Sequence, residues 1–334
     1  MHTLTAEKIL AEALPHGIVV LDDQDQILWC NTVACQLLQL SKNPLTNIKN
    51  VFNDNEFATF IDKKEQSALE IYAPNNQNIR LSIHRGSYLA DQQLLIIQDI
   101  THLYRLEKMR QDFVANVSHE LRTPLTVFRG YLETLLDQTQ VDPKQLKQIL
   151  QQMADQNQRM ERLVEDLLLL SRLESVEPDF GKHQLVDVPM LLRQIRAEAE
   201  SLSGTHQHEI HLDIDENLKI FGELHELHSA FSNIVVNAIR YTPAHGKILI
   251  KWYQDKKGAH FEVTDTGIGI EPKHIDRITQ RFYRVDKARS RAQGGTGLGL
   301  AIVKHVLLRH GGDLAIESVL NRGSTFRCTF SPRG

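Results

Sequence analysis

Apolar residues recur every three or four positions at Leu106, Phe113, Val117, Leu121, Leu125, Phe128, Leu132 and Leu135, a stripe that predicts one long helix over Thr101 to Leu136. After a short polar stretch, Asp142-Pro143 reads as the cap and first residue of a second helix. Its stripe is Leu146, Ile149, Met153, Met160, Leu163, Leu167 and Leu170, with Asn157 read as a seam residue that sets register. Two apolar stripes cannot both be buried within one hairpin. The expectation is therefore a homodimer through residues 101–176, closed as a four-helix bundle.

On either side of the hairpin the period changes. Ile18 to Asp22 and Gln26 to Cys30 are short apolar runs joined by Asp23-Gln24-Asp25, the pattern of a β-hairpin, and Asn31 reads as N-cap of a helix from Thr32 to Leu38. Ile79, Leu81 and Ile83 alternate with polar residues, and Leu94 to Ile97 reads as a more buried strand. Beyond Glu177-Pro178 the pattern is mixed. Helices are predicted over Val188–Leu202, Leu224–Arg240 and Leu300–His310, and strands over His208–Ile214, Ile248–Tyr253, His260–Thr264, Leu314–Glu317 and Thr325–Phe330. Helices on one face of a mixed sheet make an α/β sandwich. The chain thus reads as multidomain α/β, divided at 1–100, 101–176 and 177–334.

Composition narrows the function. With 334 residues, 41% hydrophobic and 24% charged, this is an ordinary globular chain, and a net charge of -4 without a basic block excludes nucleic acid as the expected partner. Cys30, Cys35 and Cys328 are odd in number and form no C-x-x-C pair, which fits a reducing compartment without structural zinc or disulfides. No run reaches the ~18 apolar residues of a membrane span. The most apolar stretch, Leu163 to Leu173, is interrupted by Glu165, Asp166 and Arg172. A cytoplasmic chain is expected, associated with the inner membrane if a transmembrane region precedes residue 1 in the native protein.

The candidate chemistry begins on the first long helix. His119 lies two residues from both Val117 and Leu121, so at about 100° per residue it points away from the stripe and into water. Glu120 adjoins it, Thr123 stands one turn further on, and Pro124 removes the backbone donor to the Glu120 carbonyl, so a kink is expected. A solvent-facing imidazole beside a carboxylate suits a nucleophile, although a plain surface histidine fits equally well. Four further signals follow in order. Asn233, Asn237 and Arg240, then Tyr241, lie along one helix: amide oxygens suit magnesium and a guanidinium suits phosphate. Asp265-Thr-Gly267-Ile-Gly269 follows a strand, where a carboxylate can accept from an exocyclic amine and glycines admit a flat ring. Arg281-Phe282-Tyr283-Arg284 forms a polar-aromatic loop. Finally Gly294-Gly295-Thr296-Gly297-Leu298-Gly299 opens a helix, whose free amides suit phosphate oxygens.

Taken together these motifs resemble the sensor histidine kinases of two-component systems. His119-Glu120-x-x-Thr123-Pro124 looks like their phosphoacceptor box. The later four look like the asparagine, first glycine, aromatic and second glycine boxes of the ATP-binding fold shared with gyrase and heat-shock chaperone ATPases (the GHKL or Bergerat type). Phe113–Tyr131 and Arg281–Arg291 are similar to the phosphate-regulon branch. The first hundred residues, ending in Asp99-Ile100-Thr101, resemble a PAS sensor domain without the flavin-binding cysteine box or a credible haem histidine.

The resemblance implies autophosphorylation of His119 from ATP and Mg²⁺, transfer to an aspartate of a response regulator, and regulator phosphatase activity involving Thr123. It further implies Asp265 on the adenine amine, Asn237 on magnesium with help from Asn233, and Arg240 and Tyr241 on phosphate and nucleoside. Gly267 and Gly269 would face the base, Arg281, Phe282 and Arg284 would border the site, and Gly295, Thr296, Gly297, Leu298 and Gly299 would wrap the phosphates under a lid over 284–296. Two alternatives stay open: a GHKL-type ATPase that does not use His119, and a non-catalytic PAS-based dimeric scaffold.

Overall fold

A computed structural model describes residues 6–41, 46–63, 68–89, 92–137, 142–175, 183–285 and 295–331. The chain divides into two compact units, Met1–Val114 and Ala115–Gly334. Gly294, most of the expected lid and the Glu177-Pro178 boundary lie outside the described residues. Among the described residues no helix is long and apolar enough to cross a membrane.

In the first unit β1 (Gly17–Leu21) and β2 (Ile27–Cys30) form the expected hairpin, and β3 (Leu69–Ala73), β4 (Asn76–Leu89) and β5 (Gln92–Asp99) complete an antiparallel sheet of order β2-β1-β5-β4-β3. Helices α1 (Ala6–Glu12), α2 (Thr32–Leu38), α3 (Ile48–Phe52) and α4 (Asn55–Asp62) accompany it. Asn31 caps α2, and its buried amide does more than that. Its Oδ1 accepts from Ile18 and Ala34 N–H at 2.9 Å each, while its Nδ2 donates to the Ala11 and His16 carbonyls at 2.9 and 2.8 Å. A fully buried amide is tolerated because all these groups are paired. The core of this unit runs from Val19 and Leu21 through Phe57 and Ile61 to Ile83, Leu95 and Ile97.

The long helix α5 spans Thr101–Asp137 and runs through Pro124, which is buried. α6 spans Pro143–Ser175. Its stripe differs from the expected one at two positions, the first being Leu146, which is exposed. Ile149, Leu163 and Leu170 are buried, and the steps between them pass through Met153, Gln156, Met160 and Leu167. Asn157 stands one position off this line, exposed, with its Nδ2 on Glu161 at 2.8 Å. The heptad spacing, followed strictly, selects Gln156.

Past α6 come β6 (Gln184–Val186), α7 (Val188–Ser203), β7 (Glu209–Ile214), β8 (Ile220–Gly222), α8 (Leu224–Tyr241), β9 (Lys247–Asp255), β10 (Gly258–Asp265), α9 (Pro272–Ile275), α10 (Gly299–Arg309), β11 (Gly312–Val319) and β12 (Gly323–Phe330). The main sheet has order β11-β12-β10-β9-β7, with β7 parallel to β9 and the other pairs antiparallel. One face packs on α7, α8 and α10 through Ile248, Ile250, Trp252, Phe261, Val263, Phe326 and Cys328. At its centre Phe231 of α8 stacks on Phe261 with centroids 4.1 Å apart. Each such ring removes enough apolar surface from water to contribute about 1.5–3 kcal/mol. The opposite face is charged, with Arg327 Nε 2.6 Å from Glu262 Oε2. Leu163, Leu170 and Leu173 of α6 join the sandwich core, so the second half of the hairpin is packed onto the sandwich of the same unit.

Candidate active site

Asn233, Asn237 and Arg240 project from α8 at steps of four and three, and Tyr241 ends the helix; all four line one cavity of about 640 Å³. Asn233 Nδ2 donates to the Ser229 carbonyl at 2.9 Å. Its Oδ1 faces Gly299, where an added Cβ would stand 2.3 Å from that oxygen. A side chain there would have to push the Asn233 amide aside, so this approach of α8 and the start of α10 favours glycine.

β10 delivers Asp265 to the cavity floor. One carboxylate oxygen accepts from the Gly267 N–H at 2.8 Å, and the Ser324 amide also donates to the carboxylate. Burial pushes this carboxyl above the usual carboxylate range, while those two amides pull it back. The turn is tied to the end of α8 by the Ile268 N–H, which donates to the Tyr241 carbonyl at 3.1 Å. Gly267 therefore shapes the Asp265 turn, and Gly269 lines the cavity itself.

The aromatic loop and the second glycine motif interlock. Phe282 N–H donates to the Gly297 carbonyl at 2.8 Å. Gly297 has φ +74°, and a Cβ there would meet the Phe282 Cα at 2.9 Å. Arg284, Gly295, Thr296, Gly297 and Gly299 line the cavity. Four expected site residues do not: Gly267 stays behind in the Asp265 turn, and three more lie in these two motifs. Arg281 pairs with Glu174 of α6, Phe282 packs against the sandwich core, and Leu298 is a fully buried anchor beneath the glycines. α10 opens at Gly299 without a side-chain cap bond, which leaves its first N–H groups for an anion.

Charge in the cavity points the same way. Burial, with the Arg162 and Arg284 charges nearby, holds Arg240 below the ordinary guanidinium range. Three guanidinium groups converging on one half-buried site leave a strong demand for an anion. Asp166 of α6 meets part of it: its Oδ2 accepts from Thr296 Oγ1 at 2.9 Å. Burial raises the Asp166 carboxyl, opposed by Thr296 and Arg240. Arg162 and Asp166 did not emerge as site residues from the sequence. Asp166 had one signal, as a charge that interrupts the most apolar run of the chain, and Arg162, just before that run, had none. Amide and carboxylate oxygens at Asn237, Glu165 and Asp166 give the cavity the hard donor set that suits magnesium.

On α5, His119 and Thr123 are exposed, and Thr123 Oγ1 donates to the His119 carbonyl at 3.2 Å. Glu120 faces two arginines, with Arg159 Nη2 3.1 Å from Oε2 and Arg284 Nη1 3.9 Å from Oε1. Arg284 is itself a wall of the cavity, so the residue next to His119 reaches the cavity rim.

Three family models match the chain: a PAS domain over 8–71, the His Kinase A (phospho-acceptor) domain over 109–176, and the histidine kinase-, DNA gyrase B- and HSP90-like ATPase over 222–334. The phosphate regulon sensor protein PhoR of Pseudomonas aeruginosa is 47% identical over 325 residues, covering 96% of this chain and 73% of that protein. Its namesake from Haemophilus influenzae is 39% identical over 317 residues, covering 94% and 73%. The sensor histidine kinase WalK of Bacillus subtilis is 32% identical over 324 residues, covering 94% and 53%. Among solved structures, histidine kinase ThkA in complex with response regulator TrrA matches 98% of each chain at TM-score 0.52 and 22% identity, a likeness of fold. An ATP-binding fold behind a phosphoacceptor hairpin and a PAS domain, with relatives of this identity and coverage, has one reading: the chain belongs to the sensor histidine kinases and is a protein-histidine kinase.

Proposed function

We propose that the chain autophosphorylates His119 from Mg²⁺-ATP and passes the phosphoryl group to an aspartate of a response regulator, in signalling that responds to phosphate supply. The observation that carries the first step is Arg284, which lines the nucleotide cavity and at the same time lies 3.9 Å from Glu120. The phosphate-supply reading rests on the names of the two relatives at 47% and 39% identity.

In this reading Asp265 accepts from the adenine amine and Arg240, with the uncapped start of α10, holds the phosphates. Asn237 holds magnesium, with Asn233 shaping the site beside it. Bound magnesium would offset charge on the phosphate oxygens. The lone pair of one His119 ring nitrogen attacks the γ-phosphorus. A P–N bond forms, the bond to the bridging oxygen breaks, and ADP leaves with that electron pair. Glu120 takes or orients the proton on the other ring nitrogen, and must loosen from Arg159 and Arg284 to do so. Asp265→Asn is expected to weaken ATP binding by about 10- to 100-fold, because an NH₂ then faces amide donors where a carboxylate stood. Calorimetric titration with ATP checks this, and equal affinity for wild type and variant contradicts it.

The hairpin supplies the second element of the reading. Leu125, Leu132, Leu150 and Leu168 are 57%, 48%, 53% and 55% exposed, more apolar surface than a lone helix pair leaves in water. A second copy of the chain would cover it as a four-helix bundle. Leu121 and Leu167 pack against the sandwich core, so the clean test is Leu132→Glu. That change is expected to weaken dimerisation at least about 100-fold, since a carboxylate would be buried without a partner. Light scattering reads the mass, and a wild-type monomer at micromolar concentration removes the basis for the bundle.

Thr123 would position the water that hydrolyses the regulator's phospho-aspartate, a role of placement and not of covalent chemistry. Thr123→Ala is expected to keep autophosphorylation and to lower regulator dephosphorylation about tenfold or more. Equal loss of both would mean that its bond to the His119 carbonyl supports the helix around Pro124, and the phosphatase role would be dropped.

A further inference from the structure

We propose that Cys30 and Cys35 form a reversible disulfide when the PAS unit meets a hydroperoxide, a modification site separate from the kinase chemistry. Their sulfur atoms lie 2.8 Å apart. A disulfide bond is ~2.05 Å long, so closing the pair takes about 0.8 Å of further approach, within reach of a small side-chain torsion. The backbone between the two is already held. Cys30 ends β2 opposite Val19, Cys35 lies in α2 with its N–H on the Asn31 carbonyl at 3.0 Å, and Asn31 is locked by its four amide bonds. Little chain entropy remains to be lost on bridging.

The two thiols have different roles. Cys30 is buried, and burial, the hydrogen bond with Cys35 and the Glu12 charge push its thiol up to about 12. Cys35 is half-buried at the edge of the core, the more accessible of the two residues, and takes the role of the sulfur that meets the oxidant. In the first step Cys35 gives its proton to solvent and the thiolate attacks a peroxide oxygen. The O–O bond breaks, a sulfenic acid forms, and the departing hydroxide takes up a proton from solvent to leave as one water. In the second, Cys30 Sγ attacks Cys35 Sγ, the S–S bond forms, and the hydroxyl leaves with the Cys30 proton as a second water. The sum is two thiols and one hydrogen peroxide giving one disulfide and two waters. Two electrons pass from the sulfurs to the peroxide. A dithiol reductant reverses it, as expected of a disulfide that forms in a reducing compartment. The site lies on β2, and its neighbour β1 pairs in turn with β5, the strand that leads to Thr101 and α5.

The test treats the full reduced chain with one equivalent of hydrogen peroxide, blocks free thiols under denaturing conditions and maps tryptic peptides by mass. Both cysteines fall in the peptide Ile9–Lys42. The expected result is that peptide unalkylated and lighter by roughly 2 Da than its reduced form, restored by dithiothreitol. Cys328, fully buried in the other unit with its thiol pushed up by burial, should remain alkylatable and serves as the internal control. In Cys30→Ser the Cys35 sulfenic acid should accumulate, its dimedone adduct rising about tenfold over wild type. Two free thiols in treated wild type, or equal dimedone labelling in both proteins, overturns the proposal; the wild-type arm stands even if the variant fails to fold.

Discussion

Alanine at position 119 is expected to reduce ATP-dependent labelling of the chain to background, a loss of at least about a thousandfold, with nucleotide affinity unchanged within about twofold. The separation of the two effects follows from where His119 stands. It is an exposed residue of α5, whereas the nucleotide cavity is walled by α8, α10, the Asp265 turn and part of α6. Removing the ring takes away the attacking nitrogen and nothing that would touch ATP. The helix should survive, since alanine is the best helix former and the Thr123 hydroxyl bonds the backbone carbonyl of residue 119, which remains. A fluorescent ATP analogue measures the affinity, and the γ-phosphate label measures the chemistry.

Asn237→Ala should fail for the opposite reason. Its amide lines the cavity between Asn233 and Arg240, and the change removes a hard oxygen donor without touching α5. Mg²⁺-ATP affinity is expected to fall about 10- to 100-fold, in the range of a lost bond to a charged partner. Two titrations isolate the cause. Wild type should bind ATP more tightly with magnesium than with a chelator, and the variant should bind equally weakly in both. If the variant kept the magnesium dependence, the metal would have to be held elsewhere, with Glu165 and Asp166 the first candidates in the same cavity. A thermal melt is the control, because Asn237 is half-buried and is not one of the apolar anchors of α8.

Elements with a long, regular pattern were legible from the chain alone. α5, α6 and α8 fall within a residue or two of their expected bounds because each carries a stripe over many turns. Short elements were legible where a cap or turn marked them, as at β1, β2 and α2, and not elsewhere. α3 and α4 give too few residues for a helical period to emerge, and the Leu69-Ile71-Ala73 alternation of β3, three residues on one face, is too short to stand out by itself. At the site, motif residues on one helix face or one turn came together as expected. The exceptions share a cause: in Arg281-Phe282-Tyr283-Arg284 and Thr296-Gly297-Leu298-Gly299, loop geometry decides which side chains face inward. Phe282 at φ +60° sends its neighbours to different sides, so Tyr283 and Arg284 line the cavity and Arg281 reaches Glu174. The bond from Thr296 to Asp166 spans 130 positions, and no local pattern encodes it.

The most direct test of the account is the chemical identity and position of the phosphate taken up from ATP. The full chain is incubated with γ-labelled ATP and magnesium, then divided between acid and base before phosphopeptide mapping under neutral, cold conditions. The expected result is label lost in acid, kept in base, and mapped to His119. Label that resists acid, or that persists at another residue in His119→Ala, would contradict the assignment of His119 as the acceptor.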